Sequence, residues 1–92
     1  MAKKLNPQLE KIIPIFFEEK YIDLQPCEYA YVSTAARIIR EEIEKWYAKN
    51  NYTEFTPSIN TVKCWIYGEC PGWVVNVLTT RLSERKKSLT LV

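Results

Sequence analysis

Ninety-two residues with 47% apolar and 13% aromatic side chains are enough for one compact core and too rich for a disordered chain. Two glycines leave no glycine-rich phosphate loop, and no apolar run approaches the roughly 20 residues of a membrane span. The lack of histidine removes the usual general base and the commonest zinc ligand, and a formal charge of +2 is too small to name a polyanionic partner by itself.

Asn6-Pro7 reads as an N-cap followed by proline at the first helical position, and Leu9, Ile12, Ile13, Phe16 and Phe17 recur at helical spacing. The pattern predicts a first helix over roughly residues 7–20, which Pro14 should kink or divide after Ile12. Glu10, Lys11 and Pro14 also break up the apolar stretch, so no signal peptide is expected and the location is read as cytoplasmic. Lys3 and Lys4 read as a solvated terminus more readily than as a basic arm. "YIDLQPCEYAYV" follows as a connector around Pro26, with room for a short strand or turn.

Ser33 is a natural N-cap for a second helix running to about Asn50, with Ala35, Ala36, Ile39, Ile43, Trp46 and Tyr47 on its apolar side. Arg37, Arg40, Glu41, Glu44 and Lys45 occupy the other side. Spacings of four between Arg37 and Glu41, and between Glu41 and Lys45, suggest weak ion pairs on a solvated scaffold face.

The stretch "TPSINTVKCWIYGECPGW" holds a third, short helix. Ser58 can cap it, or Thr56 can with Pro57 first in the helix, and Gly68 is expected to end it in a left-handed turn. Val62 with Ile59, Trp65 and Ile66 commits half the circumference to the core, and the indole of Trp65 is expected inside. The outer side carries Asn60, Cys64 and Tyr67, flanked by Thr61 and Lys63.

Pro71, Val74, Val77, Leu78 and Leu82 then predict a last helix of about three turns. The alternative is a hairpin wing, strand "WVVNVLTT" and strand "SLTLV" around "SERKK", although alternation fails at Val74-Val75 and Val77-Leu78. Arg81, Arg85, Lys86 and Lys87 fit phosphate contacts or, equally, a helix C-terminus complementing its dipole. Tyr29, Tyr31, Trp46, Tyr52, Phe55 and Trp73 read as core and seam. Cys27, Cys64 and Cys70 form no Cys-x-x-Cys pair, so thiols are expected ahead of a disulfide, with no metal or other cofactor. Plentiful lysine, glutamate and isoleucine with scarce glutamine lean towards a thermophile.

A short helix held rigidly, with a polar outer face, fits the DNA major groove: asparagine can pair with adenine, lysine with guanine or phosphate, and a threonine methyl with thymine. Ser58 and the free amides beside it suit a backbone phosphate. The same helix also fits a purely structural role.

"SINTVKCWIYG", Ser58 to Gly68, resembles the recognition helix of helix-turn-helix DNA-binding domains, whose form is Ser-x-x-Thr-Val-x-x-Trp-Ile/Leu-x-Gly. Ser58, Thr61, Val62, Trp65, Ile66 and Gly68 fall into that pattern, most similar to microbial regulators and mobile-element proteins. The resemblance implies a mainly α, helix-turn-helix bundle of about four helices spanning 1–92, with Asn60, Lys63, Cys64 and Tyr67 as readers. The implied function is sequence-specific binding of double-stranded DNA by a transcriptional or replication and plasmid-partition regulator, without catalysis. The connector Asn50 to Pro57 is about twice the usual length for this motif, which implies an extra helical turn or an elaborated variant. One reading helix contacts few base pairs, so a homodimer on half-sites about 34 Å apart is expected. Helix one with Phe16 and Phe17, and the tail "SLTLV", are its candidate surfaces. The alternative function is a helical protein-interaction or assembly module.

Overall fold

In the computed structural model, which describes residues 5–50 and 56–90 apart from the side chains of 85–90, the chain forms four α-helices. They are α1 (Pro7–Glu19), α2 (Ala30–Lys49), α3 (Ile59–Tyr67) and α4 (Gly72–Thr90). All four contribute to one cluster of buried side chains, in which α2 is the central element, packed on α3, α4 and α1. Phe17 of α1 meets Tyr31 of α2 edge to face, ring centroids 5.1 Å apart. Val74, Val77, Leu78 and Leu82 make the buried stripe of α4.

Local chemistry explains the ends of α1. The Asn6 side chain accepts from the amides of Gln8 at 2.9 Å and Leu9 at 3.2 Å, and Pro7 follows at the first position, where its missing N–H costs nothing. At the other end Tyr21 adopts φ 59° while Ile22 donates to the Phe17 carbonyl at 2.9 Å and Tyr21 to that of Glu18 at 3.2 Å. These two bonds and the left-handed residue between them are the Schellman arrangement, with a tyrosine where glycine is usual.

Several expectations are corrected. Pro14 does not divide α1: it lies on the exposed side, as does Glu10, whose carbonyl loses its helical donor and is left where water can serve it. Phe16 and Phe17 are buried within this fold, at 1% and 3% exposure, so they offer no surface to a second copy.

The connector after α1 holds turns rather than a strand, and α2 begins at Ala30, which puts Ser33 inside the helix. Its N-cap, Tyr29, makes no side-chain cap bond. The start is set instead by a turn in which the Gln25 amide donates to Glu28 Oε2 at 2.6 Å, and by burial of Tyr31 on Phe17. Tyr29 itself is fully exposed rather than part of the core. The ion pairs on α2 join Arg40 to Glu44 and Lys45 to Glu42, not Arg37 or Lys45 to Glu41.

The hairpin wing gives way to helix: residues 72–90 are α4, and no strand occurs among the described residues. Its 19 residues also exceed the three turns expected from the apolar stripe alone. Gly68 ends α3 at φ −138°, outside the left-handed region. A Cβ there would lie 3.2 Å from the Cys64 carbonyl, so close approach rather than backbone handedness favours glycine. Tyr52, Phe55, Lys3, Lys4 and the end of "SLTLV" lie outside the described residues.

Candidate nucleic-acid interface

The nine residues of α3 are too few to be helical on their own in water, so the element depends on its anchors. Val62 and Ile66 are completely buried, each worth about 1.5–3 kcal/mol of apolar burial. Ser58 supplies the cap: its Oγ accepts from the Thr61 amide at 3.2 Å and lies 3.0 Å from Thr61 Oγ1. Both ends are also tied to other elements. Arg40 Nε donates to the Pro57 carbonyl at 3.1 Å, fixing the chain just before α3 to the side of α2. The Asn6 amide donates to the Ile66 carbonyl at 2.7 Å, and Asn6 Nδ2 to that of Gly68 at 2.8 Å, so the segment before α1 caps the far end.

This framing turns one face of α3 outward. Ser58, Asn60, Thr61 and Cys64 are exposed together, and Tyr67 stands at the end of the same helix at 42% exposure. Lys63 is half-buried. Its side chain lines a groove of about 370 Å³ with Leu5, Pro26, Cys27, Glu28, Tyr29, Val32, Ser33 and Tyr67.

Trp65 is not enclosed as expected. It is half-buried at the seam between α3 and α4, edge to face with Trp73 at 6.0 Å, and Trp73 stacks on Tyr47 at 6.3 Å while itself 43% exposed. Trp65 packs against the core cluster without being fully buried, and Val62 and Ile66 are the completely buried anchors. Asn60 nevertheless faces outward.

Arg81 does not join the outer face. Its Nε donates to Glu42 Oε1 at 3.1 Å, the Glu42 side chain is completely buried, and only 16% of the Arg81 side chain is exposed. A guanidinium committed to a buried carboxylate cannot also reach a phosphate, so Arg81 belongs to the α2–α4 seam. The side chains of Arg85, Lys86 and Lys87 lie outside the described residues. Glu42 was hidden in the sequence among charged neighbours, yet it stands three residues after Ile39 and seven after Ala35, on the inward stripe.

Charge is unevenly spread along α3. The N-terminal end has Arg40 beside Pro57, whereas Glu28 lines the groove at the other end and Glu69 is exposed just past Gly68. Cys27 and Cys64 are exposed free thiols, and Cys70 is half-buried with its thiol pushed up to about 11 by burial. Among the described residues no three His, Cys, Asp or Glu side chains are placed to hold a metal ion.

Compared with known proteins, the chain matches no protein-family model, no curated protein and no solved structure. No helix among the described residues is long and apolar enough to cross a membrane.

Proposed function

We propose that the protein binds double-stranded DNA in a sequence-specific manner, reading the major groove with the helix at 58–67, as a cytoplasmic transcriptional or replication and plasmid-partition regulator of helix-turn-helix type. The observation that carries this reading is the outer face of α3: Asn60, Thr61 and Cys64 are exposed while Val62 and Ile66 hold the opposite side. An exposed asparagine amide on a rigid helix supports bidentate pairing with adenine N6 and N7, and the Thr61 methyl supports contact with a thymine methyl. Lys63 and Tyr67 flank these readers, and Ser58 with the helix start suits a phosphate. So short a reading helix favours a homodimer on two half-sites about one helical turn, 34 Å, apart.

A different observation favours a second reading, a protein-interaction or assembly module. The groove beside α3 presents two exposed tyrosines, Tyr29 and Tyr67, and tyrosine is enriched where proteins meet. Selection of bound fragments from a random pool of duplex DNA separates the two. Enrichment of a common motif, palindromic for a dimer, supports DNA reading; a pool that stays random supports the interaction module.

A further inference from the structure

Resting on the DNA reading, we infer that Arg37 of α2 grips a backbone phosphate next to the bases met by Asn60. Ser33, Arg37 and Arg40 stand four and three residues apart, within about 60° of one another around α2, so they share one face of that helix. The two outer members of the row have their places fixed against α3. Ser33 lines the groove with Lys63 and Tyr67, near the end of α3, and Arg40 reaches the carbonyl of Pro57, just before its start. The two helices therefore run in opposite senses along this row. Arg37 falls between the two fixed points, level with the first turn of α3, where Asn60 is exposed.

The three members of the row are in different states. Ser33 is half-buried in the groove, and Arg40 is occupied by Pro57 and by Glu44 at 3.8 Å. Arg37 is exposed and forms no ion pair among the described residues, although Glu41 stands four residues on. An exposed planar cation with no ion pair among the described residues, level with an exposed asparagine and a helix start, complements phosphate, whereas at the other end of α3 Glu28 offsets Lys63 in the groove and Glu69 adds negative charge. A duplex would thus approach over the first turns of α3, with Asn60 in the groove and Arg37 on the flanking strand. Such a contact positions the protein without reading sequence.

The test measures affinity for the selected duplex and for a scrambled duplex from about 50 to 200 mM salt, in the wild type, Arg37→Gln, Arg37→Lys and Asn60→Ala. Arg37→Gln should weaken both duplexes alike and lower the slope of log K against log salt by about 0.9, the loss of one phosphate contact. Arg37→Lys should keep the slope. Asn60→Ala should weaken the selected duplex only, with the slope unchanged. If Arg37→Gln leaves affinity and slope as in the wild type, while Asn60→Ala still loses specificity, the Arg37 assignment is wrong and DNA reading stands. Loss confined to the selected duplex would make Arg37 a base reader and overturn the phosphate assignment. A wild type that binds neither duplex removes the DNA reading and this inference with it.

Discussion

The side-chain nitrogen Nδ2 of Asn6 donates to the carbonyl of Gly68 at 2.8 Å, across 62 positions of sequence, while the oxygen of the same side chain caps α1. One buried residue therefore joins the start of α1 to the end of α3. Asn6→Asp keeps an acceptor for the α1 cap but replaces the donor to Gly68 with a carboxylate facing a carbonyl. It should cost about 1 kcal/mol or more, the net worth of the lost hydrogen bond with two oxygens then facing each other. Asn6→Ala should add the loss of the cap, about another 1 kcal/mol. Urea midpoints of the two variants check the order, and equal stability of Asn6→Asp and wild type would remove the clasp to Gly68 from the account.

Tyr21 occupies the left-handed position that ends α1, at φ 59°, with its side chain 96% exposed. Its ring contributes little packing to offset the backbone cost. Tyr21→Gly should stabilise the fold by about 1 kcal/mol, the left-handed penalty of a residue with a Cβ less the added freedom of the unfolded chain. Thermal unfolding checks this, and a lower Tm would mean the ring makes a contribution its exposure does not suggest.

The Glu42–Arg81 pair joins α2 to α4, with Lys45 3.7 Å from the other Glu42 oxygen. Arg81→Met should cost about 3 kcal/mol, because it takes from a buried carboxylate the guanidinium that donates to it. Replacing both partners, Glu42→Met with Arg81→Met, should restore most of that stability, since two apolar side chains remove the desolvation problem altogether. Denaturant titration of both variants decides it; a double variant no better than the single one would show that the pair does more than balance charge.

The sequence was most legible where the signal is local. Asn6-Pro7 and Ser58 each cap the helix they precede, and the stripe of Val62 and Ile66 turns Asn60 and Cys64 outward by periodicity alone. Legibility failed where the deciding partner is distant. Ser33 resembles a cap as well as Ser58 does, but burial of Tyr31 against Phe17 carries α2 one turn further back. Glu42 reads as solvated among Arg40, Glu41, Glu44 and Lys45 until Arg81, on another helix, is seen to meet it. The partial burial of Trp65 depends on where α4 places Trp73. Arg37 reads in sequence as one more charge on a solvated face, because only the groove at Ser33 and the bond from Arg40 to Pro57 reveal that α3 runs along this side of α2.

The central claim is that the exposed face of α3 reads bases, and Asn60 is the side chain on which it turns. A mobility-shift titration comparing wild type with Asn60→Ala, on the selected duplex and on one with its preferred adenine changed, tests this directly. The account predicts that Asn60→Ala loses about 1–3 kcal/mol on the selected duplex and no longer distinguishes the two. Equal affinity of both proteins for both duplexes, with the variant folded as the wild type, would contradict it.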